Sequence, residues 1–314
     1  MGKVCFGIDV GGTTVKIGLF TEEAKLVDSL EIPTRKEDDG ANILPDICSA
    51  IEAKLVEKQI SRDELVGVGI GIPGPITKDG TVLSCVNLGW GMFNVEEKLS
   101  QMLGGITVKA GNDANVAALG ETWQGGGRGF EDLVLVTLGT GVGGGVIIGG
   151  KIVSGSNGAA GEIGHIPSVF GDDAEICGCG KKGCLETVGS ATGIVREAKK
   201  LLAKSSEESS MRSIEELTCK DIFDSAKEGD KLALEVVDKL ALALGKSIAG
   251  IAAVTNPQVI VIGGGVSKAG KFLLDKIEEN FLEYAFHATK NAKFALATLG
   301  NDAGMYGAAA LILD

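Results

Sequence analysis

Two stretches of this chain read as the same object. Residues 6–20, FGIDVGGTTVKIGLF, set a glycine turn between two β-rich apolar runs, and residues 133–150, LVLVTLGTGVGGGVIIGG, repeat the layout. Both read as strand, tight glycine turn, strand. The echo is at domain scale, not at the short period of a solenoid. A chain of 314 residues is also long for one hydrophobic core. Two related domains are the expectation.

The elements around these hairpins alternate. Strands are expected at about 3–9, 14–20 and 26–34. A helix follows over 43–59, where Ile43, Ile47, Ile51 and Leu55 recur every four residues and share a face. A buried strand spans 65–73, a short one lies near 106–109, and a helix covers about 113–123. After the second hairpin and a cysteine cluster the chain becomes helical. Its longest helix is expected over 230–254, stopped by Asn256-Pro257. A strand over 258–265 ends in a glycine turn, another lies near 294–299, and a helix over 302–313 closes the chain. The run AKSSEESSM (203–211) reads as a solvated loop. The fold class is α/β, with one domain over 1–111 plus 301–314 and the other over 112–300.

Charge and composition exclude several functions. Thirty Lys and Arg against 42 Asp and Glu leave a net charge of −12, and no basic stripe offers a nucleic-acid surface. The opening MGKVCFGIDV lacks the pattern of a signal peptide. Residues 133–150 are uncharged, but their glycines argue against a spanning helix, so no membrane partner and a cytoplasmic location are expected. The 48 glycines are about twice the usual share of ~7%. They suggest a backbone that must approach ligands closely.

Three letter-matches to phosphate motifs fail on context. Gly69, Gly71 and Gly74 space like a dinucleotide fingerprint, but Pro73 and Pro75 flank the last and no helix opens there. Gly139, Gly141 and Gly144 are followed by a strand. Gly265 to Lys271 approximates a P-loop, yet Phe272 stands where Mg²⁺ needs a hydroxyl. The remaining solution is a pair of hairpins whose backbone N–H groups cradle a polyphosphate, joined by the turn at Gly263–Gly265. Asp9 could hold Mg²⁺, and Thr13, Thr14 and Thr140 could donate hydroxyls. Gly11, Gly12, Lys16, Gly141, Gly264 and Gly265 complete the candidate nucleotide contacts. Either hairpin alone could be an ordinary tight turn.

Two further clusters carry chemistry. GNDAN (111–115) sits between a strand and a helix, where Asn112 or Asp113 serves as a helix cap or as a general base. CGCGKKGC (177–184) holds three of seven cysteines. Zinc takes four tetrahedral N or S ligands. Cys177, Cys179 and Cys184 supply three, and His165, one of only two histidines, lies twelve positions upstream. A redox pair or plain buried thiols are the alternatives. Cys5, Cys48, Cys85 and Cys219 read as packing residues, and His287 as structural.

DVGGTTVKIGLF, GIGIPGP, GNDANVAALGE, residues 133–165 and CGCGKKGCLE occur in the order found in the ROK family of sugar kinases. The chain resembles that family over essentially its whole length, and its bacterial glucokinases most of all. One departure is Thr14, where many relatives carry Lys. The resemblance implies the RNase H-like two-domain fold of hexokinases and actin, with the active site in an interdomain cleft. It implies Asp113 as catalytic base and sugar binding by Asn87, Asn112, Asp113, Glu162, His165 and Glu186. It also implies ATP with Mg²⁺, a structural zinc on His165, Cys177, Cys179 and Cys184, and a homodimer or homotetramer. Glucose is the expected acceptor, with N-acetylmannosamine, N-acetylglucosamine and fructose as alternatives. A sugar-sensing repressor would need an N-terminal helix-turn-helix, for which Asp9 leaves no room. An actin-like filament protein would need neither the cysteine cluster nor the Asn-Asp pair.

Overall fold

The computed structural model describes residues 2–172 and 174–313. Contacts divide the chain into two compact units, Met1–Glu131 with Gly145–Gly161 and Leu299–Asp314, and Asp132–Gly144 with Glu162–Thr298. Among the described residues, two five-stranded sheets and one two-stranded ribbon carry the fold.

The first sheet has the order β3-β2-β1-β4-β7, with β1 at Val4–Val10, β2 at Thr14–Thr21, β3 at Leu26–Pro33, β4 at Leu65–Ile72 and β7 at Val108–Asn112. β1 pairs antiparallel with β2 and parallel with β4, and β4 pairs parallel with β7. Between β4 and β7, β5 (Thr81–Val82) and β6 (Phe93–Asn94) form the ribbon. The second sheet repeats this order as β10-β9-β8-β11-β12, with β8 at Leu133–Leu138, β9 at Val142–Ile148, β10 at Lys151–Ile152, β11 at Val259–Gly263 and β12 at Lys293–Leu296. The likeness of the two hairpins thus extends to whole sheets, as the α/β RNase H-like expectation requires.

Both faces of the first sheet are covered, which is why β1 reads as an almost continuous apolar run. On one face the helix Ile43–Lys58 buries Ile43, Ile47, Ile51 and Leu55. On the other lies the helix Ala303–Leu313, which is apolar all round and so must be buried. Its backbone comes down onto the strands at glycines. A Cβ on Gly69 would fall 1.7 Å from the Ala308 carbonyl oxygen, and one on Gly7 2.1 Å from that of Met305. The helix Asp113–Gln124 packs beside it in the same way. A Cβ on Gly307 would lie 1.7 Å from the Val116 carbonyl oxygen, and one on Gly120 2.2 Å from that of Ala303. At these four positions glycine therefore serves helix packing, not ligand approach.

That contact also moves the expected boundary. A division of 1–111 plus 301–314 from 112–300 puts the helix Asp113–Gln124 in the second domain. The glycine seam holds it to the terminal helix in the first unit, together with Gly145–Gly161. The strand expected near 106–109 runs later, at Val108–Asn112, so it ends on the Asn112-Asp113 pair.

In the second unit the helix Lys231–Thr255 is capped by Asp230, whose carboxylate accepts the Ala233 N–H at 3.0 Å. It ends at Asn256 in the left-handed conformation, φ 45°, just before Pro257. The helices Ala191–Lys204 and Cys219–Lys227 precede it. Among the described residues no helix is long and apolar enough to cross a membrane.

Gly307→Ala should cost about 3 kcal/mol, because the added methyl meets backbone that cannot turn aside. Urea unfolding would show this, and a midpoint equal to that of the parent protein would contradict the seam.

Candidate active site

β1 and β2 deliver the first group of side chains. Asp9 is opposite Lys16 across the antiparallel pair and beside Gly71 on β4. The Lys16 ammonium donates to Asp302 Oδ1 at 2.9 Å and lies 3.6 Å from Glu31. The Asp9 carboxyl group packs where Gly304 lacks a side chain; a Cβ there would fall 2.5 Å from Asp9 Cγ. Burial pushes the Asp9 carboxyl up to about 6, the charge of Asp113 adds to this, Lys16 opposes it, and Asp302 raises it a little further. An acid whose ionised form the fold disfavours suits a hard divalent cation such as Mg²⁺, which supplies the missing positive charge.

The turn after β1 is pinned by its carbonyls. The Gly11 N–H donates to Thr14 O at 3.0 Å, Thr34 Oγ1 donates to Gly11 O at 2.8 Å, and the Thr34 N–H donates to Thr13 O at 2.9 Å. Gly11 and Gly12 do not adopt positive φ. A Cβ on Gly12 would meet nothing within 4 Å, so the turn shows an open face.

Asn112 ends β7 and caps the helix Asp113–Gln124; its Oδ1 accepts the Asn115 N–H at 3.1 Å. Its Nδ2 donates to Asp113 Oδ1 at 3.0 Å and to the Gly74 carbonyl at 3.1 Å. Asp113 Oδ1 also accepts the Ala114 N–H at 2.8 Å. The carboxylate is thus fixed at a helix N-terminus, whose dipole favours its charge. The capping and catalytic readings of this pair are compatible: Asn112 caps, and by capping it orients Asp113. Asn87 is exposed on the turn Val86–Leu88, and Cys85 just before it is close enough to feel the Asp113 charge.

The second unit holds the remaining candidates. Thr140 is exposed in the turn after β8, and its carbonyl accepts the Thr192 hydroxyl at 3.1 Å. Gly264, at φ 81°, lies over the end of β8, 2.5 Å by its absent Cβ from the Leu138 carbonyl oxygen. The turns bearing Thr140, Gly141, Gly264 and Gly265 are therefore neighbours, and added Cβ atoms on Gly139 and Gly265 would meet nothing. Gly141 faces Glu186 instead, whose Oε2 accepts the Val142 N–H at 3.1 Å.

His165, Cys177, Cys179 and Cys184 converge, their ligand atoms all within 4.8 Å of one another. Cys177 Sγ is 3.7 Å from His165 Nδ1, and Cys179 Sγ 3.6 Å from Cys184 Sγ. Zn–S bonds near 2.3 Å and Zn–N bonds near 2.0 Å at tetrahedral angles give separations of about 3.5–3.8 Å, so the donor set fits zinc. Backbone pairings hold the loop, among them the Leu185 N–H on Ile166 O at 2.8 Å and the Cys177 N–H on Lys181 O at 2.8 Å. Cys177 Sγ is 3.6 Å from Glu186 Oε1, and His165 Nε2 is 3.9 Å from Glu162 Oε2. The other thiols behave as packing groups. Burial pushes Cys5 up to about 12 and Cys48 and Cys219 up to about 11.

The ROK family profile matches residues 5–314. This chain belongs to the ROK family. It is 46% identical to a glucokinase of Halalkalibacterium halodurans, over 98% of this chain and 94% of that one. It is 35% identical to a glucokinase of Thermotoga maritima, over 98% and 96%. Among solved structures, a ROK glucokinase of Streptomyces griseus in complex with glucose and AMPPNP is 34% identical, with a TM-score of 0.75 and 98% of each chain covered.

Sequence reasoning passed over a residue of this ROK chain that the hairpin lysine contacts. Asp302, which holds Lys16, lies in Gly300-Asn301-Asp302-Ala303, a second copy of the Gly111-Asn112-Asp113-Ala114 motif. Each copy opens the helix after the fifth strand of its sheet order. Comparing the two halves of the sequence would have found it.

Because the folded pKa of Asp9 lies above its unfolded value, its ionisation destabilises the fold. That cost is fully present above about pH 6 and fades as the pH falls toward 4. Asp9→Asn should therefore stabilise the ligand-free protein by about 1–3 kcal/mol at pH 8 and have little effect near pH 4. Thermal melts across that range check the sign; stabilisation that grows toward low pH would contradict it.

Proposed function

We propose that this protein is a glucokinase that transfers the γ-phosphoryl group of ATP to the 6-hydroxyl of glucose. The observation that carries the reading is the Asn112-Asp113 pair, an oriented carboxylate in the same unit as Asp9 and Lys16 and close enough to influence Asp9. The likeness to glucokinases over nearly the whole chain supports the choice of glucose.

Asp113 accepts the proton of the attacking hydroxyl as the new O–P bond forms and the bond from the γ-phosphorus to the bridging oxygen breaks, releasing ADP. Asn112 keeps the carboxylate aimed and hydrogen-bonds a neighbouring hydroxyl. Glu162 and Glu186 are the acceptors proposed for the remaining sugar hydroxyls, the free ring N–H of a zinc-bound His165 would donate to a sugar oxygen, and Asn87 is an auxiliary. Carboxylates suit this task because each oxygen accepts more than one hydroxyl. The open turns at Gly11–Thr14, Thr140–Gly141 and Gly264–Gly265 would receive the nucleotide phosphates, with Lys16 leaving Asp302 for them. Asp9 is the residue that would hold Mg²⁺, which neutralises phosphate charge.

His165, Cys177, Cys179 and Cys184 would hold zinc as a closed four-ligand structural site, which supplies rigidity and no open position for substrate. Cys177 and His165 adjoin Glu186 and Glu162, so the ligand loop sets the positions of two sugar acceptors.

Asp113→Asn should lower kcat roughly 10²–10⁴-fold with glucose and ATP. A coupled ADP-release assay reads this, and unimpaired turnover would remove Asp113 as base. Stripping the protein with a chelator that releases bound zinc should raise the glucose KM at least about tenfold while AMPPNP still binds. Calorimetry with each ligand tests this; sugar affinity untouched after complete metal loss would refute the positional role.

A further inference from the structure

Glu121 is almost wholly buried, at 1% exposure, on the helix that Asp113 begins. The two residues are eight positions apart, about two helical turns. A buried carboxyl group is costly unless its oxygens are satisfied. Here the two oxygens reach different segments: Oε2 accepts the Gly126 N–H at 2.7 Å, and Oε1 accepts the Leu299 N–H at 3.0 Å. The first bond closes the loop after the helix, a task the Glu121 carbonyl already shares through the Gly125 and Gly127 N–H groups at 3.1 and 2.9 Å. The second spans 178 positions of sequence, and helix capping does not account for it.

Leu299 starts the turn Gly300–Asp302, and its carbonyl accepts the Asp302 N–H at 3.0 Å. Asp302 holds Lys16, and two residues on, Gly304 lies against the Asp9 carboxyl group. A continuous set of hydrogen bonds therefore leads from the base-bearing helix through Glu121 and Leu299 to Lys16, while Gly304 in the same segment packs against Asp9. Gly125 makes room for the arrangement, since a Cβ there would fall 2.0 Å from Glu121 Oε2.

We propose that Glu121 is a positioning residue for the nucleotide: it sets Asp302, Lys16 and Asp9 relative to Asp113 by holding the Leu299 amide. The inference rests on the reading that Asp9 and Lys16 serve the nucleotide. Glu121→Gln keeps the shape but turns an NH₂ group toward one of the two amides, so one bond is lost. Gly125→Ala leaves the carboxyl group chemically unchanged but displaces it, the added methyl meeting Glu121 Oε2 at 2.0 Å and the Glu121 Cα at 2.7 Å. Both variants should raise the ATP KM about tenfold, the effect of one strong buried hydrogen bond, while the glucose KM stays within about twofold. The Leu299 amide should exchange faster with deuterium in both. With Asp302→Asn added to Glu121→Gln, the effects on ATP should be less than additive, because both act through Lys16.

Direct AMPPNP binding to the full-length variants without sugar, by calorimetry, separates this inference from the proposed reaction. Weakened AMPPNP binding sustains it even if glucose proves not to be the acceptor. Faster Leu299 exchange with unchanged AMPPNP affinity overturns it, as does an equal rise in both KM values, which marks general loosening. Gly125→Ala decides the matter if Glu121→Gln does not fold.

Discussion

The close approach of the terminal helix to β1 and β4 is the constraint on which the first unit depends. Helices on sheets usually stand off by the thickness of their side chains. Here Gly7 and Gly69 let the helix carbonyls touch the strand backbone, and Gly307 and Gly120 do the same between helices. Contacts of this kind leave few alternative positions, because rigid backbone faces backbone on both sides. The N-terminal turn of the terminal helix is thereby placed at the ends of β1 and β4. Gly304 and Asp302 can then take up their stations beside Asp9 and Lys16.

The charges that gather there are mutually uneasy. Asp9 is raised by burial and by Asp113, and Asp302 adds to the load while it occupies Lys16. In isolation this concentration of acids is unfavourable. It becomes reasonable in a site that receives a divalent cation and a polyanion, each of which redistributes the pairing. In the second unit the corresponding rigidity comes from the hydrogen-bonded cysteine loop. Strand-like pairings of 166–169 with 183–185 bring His165 and the three thiols together among short backbone hydrogen bonds.

The sequence made the architecture readable to the extent that periodicity and turn chemistry controlled it. The paired hairpins, the Ile43–Leu55 stripe and the Asn256-Pro257 stop all reappear where local rules put them. The convergence of His165 with the three thiols was legible because a shared four-ligand site would require those donors to meet. The unit boundaries were not legible. They follow from whether a glycine at 120 meets one at 307, and no local pattern expresses a contact between residues so far apart. The glycine surplus was hard to read for the same reason: it suggested ligand approach, and no local pattern shows that Gly69, whose match to a phosphate motif fails on context, is a packing surface in the fold. Glu121 carried no signal at all, since a glutamate in a helix is ordinary until its long-range partner is known.

The recurrence of Gly-Asn-Asp-Ala at 111 and at 300 gives the two halves of the chain one ground plan. Two sheets of one strand order are each followed by a helix opened by the same four residues. The letters are unchanged between the copies and the surroundings are not: Asn112 holds Asp113 at its helix N-terminus, whereas Asp302 holds Lys16. A repeated plan thus carries asymmetric chemistry, because the partner and not the motif decides what each aspartate does.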